Sequence, residues 1–169
     1  MRMSAMMISD LENLRNDLNT DQADILVIGI GNILMGDEGV GVRVIQEMDK
    51  ANWPDHIRLL DGGTGGFHLL QYLQENEHVI MVDATMDGKA PGSISVLHPK
   101  FSSDFPSALT AHDIGLKDLI ESVILTDQMP EITLVTISIS DVQYMRLELS
   151  PDVESSVPEV ISTISKLIN

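Results

Sequence analysis

The stretch Ile25–Gly41, I-L-V-I-G-I-G-N-I-L-M-G-D-E-G-V-G, is the tightest constraint on what this chain can fold into. It opens as an apolar, β-branched run that stops at Gly29 and Gly31, the pattern of a buried strand ending in a turn. An amphipathic helix follows from about Val40. A strand, a glycine-rich turn and a helix invite a phosphate cradle, but the details argue against one. The dinucleotide pattern G-x-G-x-x-G places its third glycine on Leu34. The P-loop pattern fits Gly31 and Gly36, yet Asp37 and Glu38 stand where a lysine and a hydroxyl belong. One reading gives both acids to the helix dipole, each worth about 0.3–1 kcal/mol. Gly39 and Gly41 fall in the same turns, and interior helix glycines cost about 0.8–1 kcal/mol each relative to alanine. Helix stability alone does not select that combination. Close backbone approach is required here, by the neighbouring strand or by a ligand.

Read onward, the chain alternates strands and helices. Helical spacing over Ile8–Asn19 predicts a short amphipathic helix ahead of the fold, within an N-terminal extension over residues 1–24. A single α/β domain is expected over 25–169. The helix from Val40 should stop near Asn52-Trp53-Pro54. A second strand runs His56–Leu60 and ends at Asp61, before the turn Gly62–Gly66 and a helix through Phe67, Leu69, Leu70 and Leu73. A third strand runs His78–Val82 and ends at Asp83. The connection Ala84–Gly92 is shorter than the dozen residues a parallel crossover takes, so the fourth strand, Ser93–Leu97, should be antiparallel at an edge. A polar loop over His98–Ala111 leads to a helix over His112–Leu125. A fifth strand, Ile132–Ile139, a loop over Asp141–Ser150 and a closing helix from Pro151 complete the chain. The expected fold is a three-layer α/β/α sandwich with a five-stranded, mostly parallel sheet and one antiparallel strand.

Composition narrows the function. Asp+Glu number 26 against Lys+Arg 10, a formal net charge of −16, which argues against nucleic acid and anionic membranes and is compatible with cations. Cys is 0, which removes disulfides, thiolate metal sites and a cysteine nucleophile, and fits a cytoplasmic protein. No apolar run approaches the roughly 20 residues that span a bilayer, so no membrane insertion is expected.

In open α/β sheets, ligands bind beyond the carboxyl ends of the strands. Acids stand at three successive strand ends: Asp37 with Glu38, then Asp61, then Asp83. Each has a local alternative, since Asp starts turns and caps helices. The long loop adds His112, which a weak capping box from Thr110 to Asp113 would leave as a bystander. Two carboxylates and an imidazole suit a borderline divalent metal such as zinc or nickel, although no short-range ligand spacing is present.

Four blocks in order, G-I-G-N-I-L-M-G-D-E-G-V-G (Gly29–Gly41), D-G-G-T-G-G (Asp61–Gly66), V-D-A (Val82–Ala84) and A-H-D-I-G-L (Ala111–Leu116), resemble the hydrogenase maturation proteases. The resemblance implies a small α/β sandwich. It implies an endopeptidase that removes the C-terminal extension of the nickel-loaded [NiFe]-hydrogenase large-subunit precursor. It also carries the family's metal-contacting positions onto Glu38, Asp83 and His112, which would engage nickel held by the substrate, with zinc or cadmium as stand-ins. Asp37 and Asp61 match other recurring acids of open role. Gly36, Gly39 and Gly41 would then let a partner's peptide and its metal approach the backbone beside Glu38.

Two other readings share part of this pattern. L-L-D-G-G-T-G-G resembles the glycine-rich loop of S-adenosylmethionine-dependent methyltransferases, with Asp83 as the ribose-binding acid, but leaves Glu38 and His112 without a role. A nickel-dependent chaperone that binds the precursor without cutting it would keep the same metal positions.

Overall fold

The computed structural model describes residues 25–107, 109, 113–125 and 129–169. The expected helix at Ile8–Asn19, and with it the N-terminal extension, lies outside the described residues, as do Thr110 and His112.

Five strands form one sheet: β1 (Ile25–Gly29), β2 (Ile57–Asp61), β3 (His78–Thr85), β4 (Ile94–Leu97) and β5 (Glu131–Ser138), in the order β2-β1-β3-β5-β4. The first three and β5 are parallel, and β4 pairs antiparallel with β5 at the edge. The short connection from β3 to β4 thus gave the right direction for β4. The helices are α1 (Val40–Met48), α2 (Leu70–Glu75), α3 (Asp113–Leu125) and α4 (Pro151–Ile168). Helix α1 ends earlier than the sequence implied. The Trp53 indole N–H donates to the carbonyl of Met48 at 2.7 Å, satisfying an end that would otherwise lack a partner.

Strand alternation sorts the core into two layers. On one face Val27, Ile80, Val82, Val135 and Ile137 pack under α1 and α4, through Val44, Ile45, Val153, Val157 and Val160. On the other, Leu26, Ile28, Val79, Met81 and Leu134 pack under α2 and α3, through Leu73, Leu119, Ile120 and Val123. The sheet is therefore the middle of a three-layer sandwich. With aromatics at 4% of the chain, both layers are built almost wholly from aliphatic side chains.

From β1 the chain steps outward to β2, then returns across β1 to β3 on its other side. The order reverses between β1 and β3. That reversal leaves a crevice at the carboxyl ends of those two strands, which is where open α/β sheets hold their ligands.

Candidate active site

The two strands that flank the reversal carry the two best-placed acids. Glu38 sits in a 3-10 turn, Gly36–Gly39, between β1 and α1, and that turn packs against β3. Asp83 lies on β3 itself. The sequence placed it just past the strand, but β3 continues through Thr85 because β5 is long enough to pair it, with Asp83 opposite Thr136. Asp83 shares the sheet face of Val79 and Met81, the face covered by α2 and α3. Its Oδ1 accepts the Ala84 N–H at 2.7 Å. Both acids are buried, Glu38 at 0% exposure and Asp83 at 2%. Burial pushes the Glu38 carboxyl above its usual range, because removal from water disfavours the charged form.

The other acids behave differently. Asp61 ends the edge strand β2, away from the reversal. It is exposed, and its Oδ1 accepts the Gly63 N–H at 2.9 Å, which shapes the turn that follows. Asp37 is 1% exposed but does not serve the helix dipole in the way its position implied. Neither its turn nor α1 has a side-chain cap. Its carboxylate instead reaches across to Ser150 and Gln143, 113 and 106 residues away. Among the histidines, His78 pairs with Glu131 at 3.2 Å and His98 meets Thr133 at 3.3 Å, both toward the opposite end of the sheet. Among the described residues no three of His, Asp and Glu gather as a metal-binding group. The third expected ligand, His112, lies outside them, immediately before α3. Glu38 and Asp83 are both carboxylates, a donor type that divalent cations accept.

The glycines of the turn answer to the protein, not to a ligand. A Cβ on Gly41 would stand 2.2 Å from the Ile30 carbonyl oxygen and 2.3 Å from that of Val82. One on Gly39 would meet Ile33 Cα at 2.9 Å, and one on Gly36 (φ 60°) would meet Gln143 Oε1 at 2.1 Å. The expectation that these glycines open the backbone to a partner's peptide is therefore corrected. The space a side chain would take there is filled by the segment after β1, by β3 and by the 141–150 loop. Close approach of α1 to the sheet is what holds Glu38 beside β3.

The carboxyl edge also carries exposed apolar side chains. Ile33 and Leu34 leave β1, Phe67 follows β2, Met86 follows β3, and Tyr144 and Met145 follow β5. Met145 is 91% exposed and has φ 59°, a left-handed conformation unusual for a methionine. Arg146 pairs with this turn, donating its N–H to the Leu34 carbonyl and accepting from Gly36 N–H. The sequence treated 141–150 only as a connection. Its part in the site depends on contacts more than a hundred residues apart, which no local pattern announces.

Comparison with known proteins agrees with this fold. The model of the hydrogenase maturation protease (HycI) family matches residues 42–167. The hydrogenase 2 maturation protease of Escherichia coli K12 is 33% identical over 144 residues, covering 83% of this chain and 87% of that protein. A putative hydrogenase maturation protease of Methanocaldococcus jannaschii is 32% identical over 158 residues, covering 83% and 94%. In structure, the hydrogenase maturating endopeptidase HybD of E. coli superposes with a TM-score of 0.78 at 30% identity, covering 85% of this chain and 91% of that one. The methyltransferase and non-cleaving chaperone readings are set aside, because these relatives are named for peptide cleavage. With a family model over most of its length and relatives matched nearly end to end, the chain belongs to the hydrogenase maturation proteases and is a peptidase.

Proposed function

We propose that this peptidase removes the C-terminal extension of a [NiFe]-hydrogenase large-subunit precursor, and that it recognises the nickel already loaded in that substrate. The observation that carries this reading is the pair of buried carboxylates, Glu38 and Asp83, on the two sides of the β1/β3 reversal. Two buried acids flanking the reversal favour a cation, and burial raises the Glu38 carboxyl above its ordinary range. His112 would complete the set. The exposed apolar side chains around the crevice suit a polypeptide rather than a small polar substrate.

In this reading Glu38, Asp83 and His112 hold the substrate's metal and so fix the adjacent peptide bond. The metal would supply Lewis acidity at the carbonyl or lower the pKa of an attacking water. Hydrolysis adds that water across the bond, and the amine leaves with a proton. With Cys at 0 no thiolate nucleophile is available. The absence of Cys also suits a reducing cytoplasm, where we place the reaction. Among the described residues no helix is long and apolar enough to cross a membrane.

The test is processing of purified precursor, with and without nickel, followed by the mass of the large subunit. Glu38→Ala, Asp83→Ala and His112→Ala should each abolish loss of the tail while the fold survives. Normal processing by all three variants would sink the site. Equal cleavage of nickel-free and nickel-loaded precursor would sink the role of the metal.

A further inference from the structure

We infer that Asp37 and Gln143 are a positioning pair that holds Glu38 at its working angle; this rests on the reading that Glu38 acts at the reacting centre. Asp37 is the residue before Glu38, and it is tied at both its backbone and its side chain to one carboxamide. The Asp37 N–H donates to Gln143 Oε1 at 2.8 Å, and Gln143 Nε2 donates to Asp37 Oδ2 at 3.1 Å. The two bonds close a ring through the Asp37 side chain, so neither its backbone nor its χ1 can turn without breaking one of them. Asp37 Oδ1 accepts the N–H of Ser150, the residue just before α4, at 2.6 Å.

The surroundings leave little slack. Gly36 N–H is held by the Arg146 carbonyl at 2.7 Å. On the opposite side of the turn, a Cβ on Gly31 would stand 2.1 Å from the Glu38 carbonyl oxygen. The Glu38 peptide therefore lies between β1's exit and the strap from Gln143. That arrangement spends a buried carboxylate and a long-range carboxamide on the orientation of one turn.

A purely architectural role has a different signature. The Asp37–Ser150 bond anchors the start of α4, and its loss would be felt as stability. Gln143 is not in either core layer, and among the described residues its side chain bonds only to Asp37 and, through Nε2, to Asp141 Oδ1 at 3.0 Å. Its removal strips two hydrogen bonds from the buried Asp37, so it should lower the thermal midpoint by a few degrees while leaving the chain folded at assay temperature. What it should move most is turnover, because a misplacement of about 1 Å can cost roughly a hundredfold in rate.

The experiment measures kcat and KM for nickel-loaded precursor, thermal midpoints, and amide exchange at Glu38, in Gln143→Ala, Gln143→Glu and the double variant Asp37→Asn/Gln143→Glu. Gln143→Ala should lower kcat by about ten- to a hundredfold with KM changed less than about twofold. Its midpoint should fall by only a few degrees, so that it stays folded in the assay, and exchange at Glu38 should quicken. Gln143→Glu sets a third carboxylate against those of Asp37 and Asp141 and should be at least as slow. The double variant reverses the polarity of the side-chain bond, the carboxamide now at position 37 donating to the carboxylate now at position 143. It restores the bond to position 37 but not the one to Asp141, so it should recover part of the rate lost in Gln143→Glu. Wild-type kcat in Gln143→Ala overturns the inference. So does a loss of kcat that merely follows the folded fraction, or a well-folded double variant with no recovery. Glu38→Gln in the same assay separates the two layers of argument. If it is inactive while Gln143→Ala is normal, only the positioning role fails; if it is fully active, the reading of the site fails and takes this inference with it.

Discussion

Gly41→Ala tests how the crevice is held together. The new methyl group would stand 2.2 Å and 2.3 Å from the carbonyl oxygens of Ile30 and Val82. Both are backbone atoms, one just past β1 and one within β3, and the Val82 carbonyl already accepts the Ile30 N–H at 2.8 Å. Neither can rotate aside, so α1 must lift by about 1 Å to regain van der Waals separation. Overpacking of this kind costs about 1–3 kcal/mol, and the rigid obstacle points to the upper end. Alanine returns about 1 kcal/mol of helix propensity. The net loss is about 2 kcal/mol, or about 4–8 °C in Tm for a chain of this size. Urea titration and calorimetry read it directly. Gly63→Ala is the contrast: at φ 53° with nothing within 4 Å of the added atom, it meets only the conformational cost of about 1–2 kcal/mol. The same lift would carry Glu38 away from β3, so processing should fall together with stability. An unchanged or raised Tm in Gly41→Ala would refute the packing account. Lost processing at full stability would return this glycine to the substrate.

Two pH experiments follow from the ionisable groups. Burial raises the Glu38 carboxyl above 4.5, so stability falls as the pH rises from 4.5 through that raised value, and the penalty is complete above it. Glu38→Gln should therefore melt higher than wild type at pH 7, with the gap closing as the pH falls to 4.5 and below, measured by thermal denaturation across pH. Asp87 has the opposite sign. Burial pushes its carboxyl up, but hydrogen bonds from Ser138 and Lys89 and the Lys89 charge together bring it below 3.8. Its stabilisation is present above 3.8 and is lost as the pH falls through the depressed value. Wild type should outmelt Asp87→Asn at pH 7 and lose that advantage in strong acid.

Much of the architecture was written locally. The period-2 and period-3.6 spacing of Ile, Leu and Val placed β1, β2, β3, β5, α1 and α4 to within a few residues, because each element must bury one stripe or face wherever it ends up. The length of Ala84–Gly92 alone decided the direction of β4, since a parallel crossover cannot be made in so few residues. Glu38 and Asp83 could be named as acids at strand ends without any knowledge of the sheet order.

What the sequence by itself determined, then, was the set of elements, their layer class and the chemistry standing at their ends. Only the tertiary structure decided which ends meet. The order β2-β1-β3-β5-β4 puts Glu38 and Asp83 on the two sides of the reversal and leaves Asp61 on an edge strand. It carried β3 past Asp83 to Thr85, because a strand's length is settled by its partner. It also gave Asp37 to Gln143 and Ser150 rather than to its own helix, and filled the space above Gly36, Gly39 and Gly41 with the protein's own atoms. The physical reason is the same in each case. Periodicity and propensity act over a few residues, whereas hydrogen-bond partners and excluded volume are shared between segments that become neighbours only when the chain is folded.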